Sequence, residues 1–421
     1  MKCTYKELCS KDLRGVKSIT IQDALHEFPQ ELFGASESLE FLDLSGNELE
    51  TLPDMSRFKK LKIAFFSQNR FTSIPDVFRS CGELYLLGFR SNKIAHIEEN
   101  VLPLNISWLI LTDNALEKLP DSMGKLSKLQ KFGVAGNKLT TLPQSMSQCH
   151  NLELLRLSAN RVEVLPSWLF HLPKLAWLAF SGNPCAPSKE SRLPVVALQD
   201  LELDVLLGEG ASGKIYRAHS PLFKHLLAVK LFKGAITSDG YAQDEMNACM
   251  AVGVHPHLIK VLAKLEQGHL GLVLEHIAPS YRSLGNPPNL ETCTRDTFVE
   301  GFHLEVQQVA KIAQGVASAA AHLHSMGIMH GDLYAHNILY NEEAHAYLGD
   351  FGAASFYDKE QKHYEKLDVL AFGNLLEDML IHTKKEKTPL YEKLLTLQKR
   401  AQSTKPQERP SFCEMEFSCE S

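Results

Sequence analysis

The feature that most constrains this chain is an internal repeat that runs from residue 39 to residue 184. Its unit reads L-x-x-L-x-L-x-x-N-x-L-x-x-L/I-P, and its asparagines recur every 22 or 23 residues, at positions 47, 69, 92, 114, 137, 160 and 183. A unit of this length cannot bury its apolar face alone, so neighbouring units must stack. The pattern therefore predicts an α/β repeat solenoid with one short strand in each unit.

The unit that ends at Pro166 illustrates what each position is expected to do. Leucines at strand spacing point inward, namely Leu152, Leu155 and Leu157. Asn160 is expected to hydrogen-bond the backbone of the following turn, because buried backbone groups in a bend need partners. Pro166 begins the return segment.

This unit resembles the leucine-rich repeat family, and the resemblance implies a horseshoe-shaped solenoid. Near the N-terminus Ile19 and Ile21 keep the strand spacing, but Ala24 stands where the asparagine belongs. Terminal repeats are commonly irregular, so this segment is predicted to be an N-terminal cap. We therefore expect a solenoid over residues 1–186 and a linker over residues 187–200, where prolines interrupt regular structure.

Residues that flank the inward leucines line the concave face of such a solenoid. Four of them are aromatic: Phe41, Phe65, Trp108 and Trp177. Exposed aromatic side chains tend to mark interaction sites. The sequence predicts that a protein partner or substrate binds this face; the alternative is that another part of the chain, or a second copy, covers it.

Composition narrows the class of protein and its location. The formal net charge of −6 argues against nucleic acid as a partner. The nine cysteines are scattered without a C-x-x-C pair, which is typical of free thiols in a reducing compartment. We see neither a signal-peptide core nor a run of about 18 apolar residues, so we expect a cytoplasmic protein without a membrane span.

After Leu201 the repeat period ends and a different pattern begins. A strand-like run leads into three glycines spaced G-x-G-x-x-G, which are Gly208, Gly210 and Gly213. A dinucleotide-binding fold uses the same spacing, but there a helix follows the last glycine. Here Ile215 continues an apolar run, and a second strand-like run ends at Lys230. This context favours a glycine-rich hairpin over nucleotide phosphates.

The motifs that follow resemble those of the eukaryotic-type protein kinase family and occur in the family's order. They are Ala228-Val229-Lys230, then His330-Gly331-Asp332 with Asn337 five residues after the aspartate, then Asp350-Phe351-Gly352. The resemblance implies an α+β bilobal protein-kinase fold over residues 201–421. It also implies ATP and Mg²⁺ as cofactors.

The resemblance assigns catalytic roles by position. Lys230 would hold the α- and β-phosphates, and Glu245 would pair with it, with Asp244 as the alternative. Asp332 would accept or orient the proton of the attacking hydroxyl. Oxygen atoms would bind Mg²⁺ from two side chains, Asn337 and Asp350.

The adenine site also follows from the resemblance. The ring would be sandwiched by four apolar residues, Leu207, Ile215, Ala228 and Leu339. Leu274 would lie behind the ring. The backbones of Glu275 and Ile277 would hydrogen-bond its edge.

The chain departs from the family at three places. Gly331 replaces the arginine that normally binds an activation-loop phosphate, which argues against ordering by that route. Tyr334 stands where serine/threonine kinases place a lysine, and His336 where tyrosine kinases place an arginine. The interval from Asp350 to Asp368 is only 18 positions, shorter than the family's usual interval. Three residues of this short segment, Ser355, Tyr357 and Tyr364, are expected to be ordinary surface residues.

These departures leave alternatives open. H-G-D-x-x-x-x-N is also the catalytic string of antibiotic and choline phosphotransferases, which phosphorylate small molecules. A silent scaffold with a kinase fold is a further alternative. The intact glycine loop and D-F-G motif favour a protein kinase, for which we expect serine/threonine specificity.

Overall fold

We describe a computed structural model of the chain, in which residues 1–187, 193–210, 212–234, 236–237, 239–266, 268, 270–384 and 388–417 are described. Residues 188–192 of the predicted linker lie outside the described residues. By the packing of its backbone the chain divides into two compact units, Met1–Lys174 and Leu175–Ser421. The last repeat therefore falls within the second unit.

The first unit is built from short parallel strands. A helix, α1 (Tyr5–Cys9), comes first. The strands pair in parallel in sequence order. They are β1 (Ser18–Thr20), β2 (Phe41–Asp43), β3 (Ile63–Phe65), β4 (Leu86–Gly88), β5 (Trp108–Ile110), β6 (Lys131–Gly133) and β7 (Leu154–Arg156). The central residue of each strand is buried, as the repeat pattern predicts.

The return segments of three repeats begin at a proline. Pro120, Pro143 and Pro166 each precede a short 3₁₀ helix. These helices are Asp121–Lys125, Gln144–Gln148 and Ser167–His171. Proline suits this position because its fixed φ is compatible with a helix start and its missing N–H is not needed there.

The repeated asparagines satisfy the backbone where each strand ends. The side-chain amide of Asn160 donates to the carbonyls of Leu157 at 2.9 Å and Val134 at 3.0 Å. Its oxygen accepts the N–H of Leu139 at 3.0 Å. The predicted role of Asn160 is confirmed. Because its bonds reach the preceding repeat, the asparagine also joins neighbouring units.

Replacing Asn160 with alanine should lower the free energy of unfolding by about 2–3 kcal/mol, because buried backbone groups lose their partners. The matched control is Asn151→Ala. Asn151 is exposed, donates to the Ser127 carbonyl at 2.8 Å and accepts from the Lys174 ammonium at 2.8 Å; because water can replace both exposed bonds, their loss should cost no more than about 0.5 kcal/mol. Urea unfolding followed by circular dichroism measures both. Equal losses would contradict the role of the buried asparagine.

The second unit begins with the strand of the last repeat, β8 (Trp177–Ala179). A six-stranded sheet follows. Its strands are β9 (Val195–Val196), β10 (Glu202–Glu209), β11 (Gly213–His219), β12 (Leu227–Phe232), β13 (Val261–Leu265) and β14 (Gly271–Glu275). They lie in the order β10-β11-β12-β14-β13-β9. Helix α2 (Ala242–Ala251) follows β12.

Strand β9 lies inside the segment predicted as a linker. It pairs in parallel with β13, and Val196 is buried in the core of the sheet with Leu201 and Val273. The apolar pair Val195–Val196 forms a strand because it can bury a side chain there. Part of the predicted linker is therefore an edge strand of the small lobe.

The remainder of the second unit is mainly helical. Its helices are α3 (Val306–Ser325), α4 (His363–Ile381) and α5 (Pro389–Ala401). One small sheet has the order β15-β17-β18, from β15 (Arg282–Ser283), β17 (Ile338–Tyr340) and β18 (Ala346–Leu348). A second pairs β16 (Ile328–Met329) with β19 (Ser355–Phe356). A β-rich lobe followed by a helical lobe is the arrangement that the kinase resemblance implies.

The structure corrects one member of the predicted partner surface. Phe41, Phe65 and Trp108 are half-buried on their strands, but Trp177 is only 1% exposed. The prediction that Trp177 lines an exposed partner surface is wrong, because its ring packs against that of Tyr334. The strand position alone did not reveal what covers it.

The cysteines and the helices bear on the expected location. Every cysteine among the described residues is a free thiol. Cys81 and Cys149 are buried, and burial raises the pKa of each thiol to about 11. In the parts of the chain that the structure describes, none of the helices combines the length and the apolar character needed to cross a membrane.

Candidate active site

Gly208 and Gly213 lie at the facing ends of two antiparallel strands. Strands β10 and β11 pair with each other, and the Gly210 N–H donates to the Gly213 carbonyl at 2.9 Å. A side chain at Gly213 would collide with the Leu231 carbonyl of β12. The hairpin favours the phosphate-covering interpretation over the dinucleotide-binding fold, in which a helix would begin here.

Lys230 lies on β12, opposite Ile215 of the hairpin. Its ammonium forms an ion pair with Glu245 of α2, and the side chains of both residues are largely buried. Burial works against the charge of Lys230, but the neighbouring carboxylates of Glu245 and Asp350 hold its pKa above the ordinary value. The amine therefore stays protonated, as a phosphate-binding group must. The structure pairs Lys230 with Glu245 and not with Asp244.

Residues 330–337 form a loop, here called the catalytic loop, that holds two predicted residues together. The amide of Asn337 donates to the Asp332 carbonyl and to its Oδ2, both at 2.9 Å. The His330 ring nitrogen Nε2 lies 3.0 Å from the Gly349 carbonyl, which ties the loop to the residue before Asp350. The carboxylate of Asp332 is thus fixed by its neighbour five positions away.

Asp368 of α4 anchors the start of this loop. Its carboxylate accepts the N–H of His330 at 2.7 Å and that of Gly331 at 3.0 Å. The ring of His324 lies 3.0 Å from the same carboxylate. Burial acts to raise the pKa of Asp368, but these hydrogen bonds and the nearby His324 hold it below the ordinary value. A buried carboxylate that accepts several bonds is a rigid support for the loop.

Asp350 adopts an unusual backbone conformation, with φ +53°. Its Oδ1 accepts the N–H of Gly352 at 3.0 Å, and its side chain is exposed. Left-handed backbone at a residue other than glycine costs free energy and is found preferentially at functional sites. Carboxylate and amide oxygens of Asp350 and Asn337 are hard ligands, so this donor set suits Mg²⁺.

His336 belongs to the same region and carries a partner that the sequence did not suggest. Its ring nitrogen Nδ1 lies 2.7 Å from Oδ1 of Asp296, and its backbone N–H donates to Oδ2 of the same residue at 3.0 Å. Burial acts to lower the pKa of His336, but the bond to Asp296 and the charges of Asp332 and Asp350 raise it above the ordinary value. No motif marks Asp296, because it lies 40 residues before the histidine.

The predicted adenine residues are distributed over several strands. Ala228 lies opposite Leu274 on adjacent strands, and the Glu275 N–H donates to the Lys260 carbonyl at 2.9 Å. Because that N–H is already used, a backbone hydrogen bond between Glu275 and a ligand would need the Glu275 carbonyl as its acceptor. The others are exposed or half-buried: Leu207 on β10, Ile215 on β11, Ile277 after β14 and Leu339 on β17.

The short segment after Asp350 is packed into the lobe. Ser355, Tyr357 and Tyr364 are 1%, 4% and 6% exposed, so the expectation that they are ordinary surface residues is wrong. The Tyr357 hydroxyl lies 2.8 Å from Nδ1 of His324. Burial raises the pKa of Tyr357 above its ordinary range. Residues 353–357 and Tyr364 of the segment are buried, while residues 358–363 between them are exposed.

The hairpin, the buried lysine–glutamate pair and the anchored loop together form the arrangement of a protein-kinase fold. Residues 201–414, just over half of the chain, match the protein kinase domain family. Residues 38–58, 105–162 and 127–184 match leucine-rich repeat families. The chain belongs to the protein kinase family and carries leucine-rich repeats in its N-terminal part.

Several curated kinases are similar to part of this chain. The chain is 27% identical over 194 residues to the serine/threonine-protein kinase AtPK2/AtPK19 of Arabidopsis thaliana, which covers 44% of this chain and 38% of that protein. It is 28% identical over 193 residues to CBL-interacting protein kinase 22 of Oryza sativa subsp. japonica, covering 40% and 39%. It is 28% identical over 204 residues to the calmodulin-binding receptor kinase CaMRLK of Arabidopsis thaliana, covering 44% and 30%. The chain spans less than half the length of each of these relatives.

Proposed function

We propose that this protein is an ATP-dependent protein kinase that phosphorylates serine or threonine hydroxyls. The observation that carries the proposal is the buried ion pair of Lys230 and Glu245 in the β-rich lobe. The helical lobe holds the hydrogen-bonded pair of Asp332 and Asn337. Silent scaffolds have no need of a buried charged pair, which costs free energy when it is desolvated. The name of one similar protein, the serine/threonine-protein kinase AtPK2/AtPK19, supports the choice of serine or threonine.

In the proposed mechanism, each chemical role falls to a residue already described. Lys230 holds the α- and β-phosphates, and Glu245 keeps its ammonium in place. Asn337 and Asp350 would bind Mg²⁺, which when bound offsets negative charge on the phosphates. Asp332 orients the acceptor hydroxyl and accepts its proton as the phosphoryl group is transferred.

The adenine ring would occupy the space beside the paired strands β12 and β14. By the same proposal Ala228 and Leu274, which lie opposite each other, contact the ring. Leu207, Ile215 and Leu339 complete its apolar walls. The backbone carbonyl of Glu275 and the backbone of Ile277 bind its edge.

We propose that the acceptor is a protein and that the repeats bind it or a partner. The repeats form a leucine-rich repeat horseshoe over residues 1–186, and the kinase domain covers residues 201–421. Phe41, Phe65 and Trp108 line the binding face. The ring of Trp108 also carries the Lys131 ammonium 4.1 Å above its centroid, so the face offers both apolar and cationic contacts. Buried free thiols at Cys81 and Cys149 favour a reducing, cytoplasmic location.

One assay tests the function and its alternatives together. The full chain is incubated with γ-labelled ATP and Mg²⁺, once with generic proteins and once with choline and aminoglycosides. We expect label in protein, and phosphoamino-acid analysis should find it on serine or threonine. Label in the small molecules alone would instead establish a small-molecule phosphotransferase. Nucleotide binding without transfer to any acceptor would establish a scaffold.

Replacing Lys230 with methionine should lower the transfer rate about 100-fold, the usual cost of removing one preorganised charge from a phosphoryl-transfer site. Glu245→Gln should lower it in the same direction, because the ammonium loses its buried carboxylate. Lys224→Met is the matched control, since Lys224 is an exposed lysine in the loop before the same strand. Initial rates at saturating ATP measure all three. Full activity of Lys230→Met would overturn its assignment.

A further inference from the structure

The strand of the last repeat contacts the catalytic loop through a tryptophan. The ring of Trp177 stacks on that of Tyr334, with centroids 4.4 Å apart and planes 6° from parallel. Its Nε1–H donates to the Leu333 carbonyl at 3.2 Å. Trp177 and Tyr334 are 1% and 5% exposed. Since Tyr334 lies two positions after Asp332, Trp177 holds the part of the loop next to the proposed base.

The same strand approaches the loop through its backbone. Gly331 has φ +71°, and a Cβ at this position would lie 2.5 Å from the Leu178 carbonyl and 2.9 Å from the Ala353 carbonyl. Only glycine allows this approach. The position where the kinase family places an arginine is therefore packed against backbone from the last repeat.

The residues after the strand contact the short segment that follows Asp350. The Phe180 N–H donates to the hydroxyl oxygen of Ser355 at 3.0 Å, in a buried setting. The Phe180 ring lies 5.3 Å from that of Tyr364, centroid to centroid. These contacts hold both ends of the segment that is shorter than in the family.

The end of the repeat also lies against the helix that carries Glu245. At Gly182, which has φ +69°, a Cβ would lie 2.7 Å from Oδ2 of Asp244 and 2.8 Å from the ring of Tyr241. Tyr241 and Asp244 form the start of α2. The backbone of the repeat thus fixes the start of the helix whose next residue, Glu245, pairs with Lys230.

We propose that residues 177–182 are a built-in positioning element for phosphotransfer, and that Trp177 is a positioning residue that holds the catalytic loop. The inference rests on the proposed kinase function. One continuous segment contacts the catalytic loop, the segment after Asp350 and the start of α2, which are the elements that kinases must align for catalysis. Here permanent packing takes the place of ordering by a phosphate.

A buried stack beside the proposed base could also act by covering the site of the acceptor hydroxyl. The two roles predict opposite changes in the turnover number when Trp177 is replaced. If Trp177 positions the loop, its loss lowers the turnover number. If it blocks the acceptor, its loss raises the turnover number or lowers the KM for the protein acceptor. The contacts on three elements favour positioning, because blocking would need only the stack at Tyr334.

The test compares Trp177→Leu and Trp177→Phe with the wild type in the full chain. Trp177→Leu removes both the stack and the donor, and kcat should fall about 10- to 100-fold, the usual cost of a misplaced catalytic group. Trp177→Phe keeps an aromatic ring but loses the bond to Leu333, so its kcat should lie between that of the wild type and that of Trp177→Leu. The KM for ATP should change less than about threefold, because Lys230 and the hairpin are untouched.

Trp168→Leu is the matched control, because Trp168 is a half-buried tryptophan of the 3₁₀ helix Ser167–His171, outside both the proposed site and the proposed binding face. Its kcat on a generic protein should equal that of the wild type. Activities are normalised to the folded fraction, measured by circular dichroism, and the rise in Tm with ATP and Mg²⁺ checks nucleotide binding. A wild-type kcat for folded Trp177→Leu, a raised kcat, or a fall that only follows the folded fraction would overturn the proposal. Should the leucine variant not fold, the phenylalanine variant decides by the same criteria.

A fluorescence measurement separates failure of this inference from failure of the proposed function. The chain has three tryptophans, so the double variant W108F/W168F leaves Trp177 as the only one. Its emission should be that of a buried indole, and adding Tyr334→Leu should shift it to the red whether or not the protein transfers phosphate. An unchanged emission would overturn the stack and the inference with it. A shift together with absent transfer in the wild type would overturn the kinase proposal and, with it, the positioning role.

Discussion

Asp332→Asn is expected to lower the rate of phosphotransfer about a thousandfold while leaving nucleotide binding near its wild-type value. Asparagine has the same shape, and its side-chain oxygen can still accept the bond that Asn337 donates at 2.9 Å. It cannot accept a proton from the acceptor hydroxyl, and general-base contributions are commonly about 10²–10⁴-fold. The loss should therefore appear in kcat and not in the KM for ATP.

The measurement is single-turnover transfer from labelled ATP to a generic protein, with nucleotide binding followed by the rise in Tm. Asp358→Asn is the matched control, because Asp358 is an exposed aspartate of the segment after Asp350. Its transfer rate should equal that of the wild type. A residual rate above about a tenth of wild type for Asp332→Asn would show that another group takes the proton, or that no base is needed.

The proposed catalytic residues could be identified from the sequence because the motifs that resemble those of protein kinases have short, fixed spacings. Asp332 and Asn337 are five positions apart on one loop, and the structure joins them by hydrogen bonds. Lys230 and Glu245 lie 15 residues apart and form an ion pair. The resemblance to protein kinases predicted that pair, with Asp244 as the alternative, and the structure pairs Lys230 with Glu245.

The neighbours that hold those residues could not be predicted in the same way. Trp177 packs on Tyr334 from 157 positions earlier in the chain, and Asp296 reaches His336 across 40. Neither contact leaves a local pattern. A repeat places Trp177 on one face of its strand, but the period does not say what covers that face. The exposure of a repeat position is decided by packing that lies outside the repeat.

The repeats themselves were the most predictable part, because each asparagine serves its own turn. The bonds of Asn160 reach Leu157 in its own unit and Val134 in the preceding one. The turn of its own unit and the stacking of neighbouring units therefore both require an asparagine at this position. The ends of the repeat array were less predictable, since a terminal unit has a different neighbour on one side.

Gly331 shows how a departure from a family pattern can be structural. Considered with the sequence alone, a missing arginine indicates a lost phosphate-binding group. In the structure the position has φ +71° and lies against the carbonyls of Leu178 and Ala353. An arginine side chain has no room there. The repeat backbone can approach this closely only because the residue at position 331 is glycine and not arginine.

Gly331→Ala should lower the free energy of unfolding of the second unit by about 3 kcal/mol, and Gly331→Arg by more. A left-handed φ costs an L-residue roughly 1–2 kcal/mol, and a Cβ 2.5 Å from the Leu178 carbonyl adds an overpacking cost of roughly 1–3 kcal/mol. Restoring the family's arginine should therefore reduce phosphotransfer, because the loop that carries Asp332 must move away from the repeat backbone.

Gly253→Ala separates the two costs. Gly253 has φ +67°, in the same unit, but a Cβ there would meet no atom within 4 Å, so this variant should lose only the roughly 1–2 kcal/mol of the backbone conformation. Urea unfolding gives the difference between the two alanine variants, and kcat gives its effect on the loop. Equal destabilisation, or an active and stable Gly331→Arg, would mean that the repeat backbone does not press on the catalytic loop. A clear excess for Gly331→Ala, with kcat reduced only in that variant, would tie the close approach of Leu178 to catalysis.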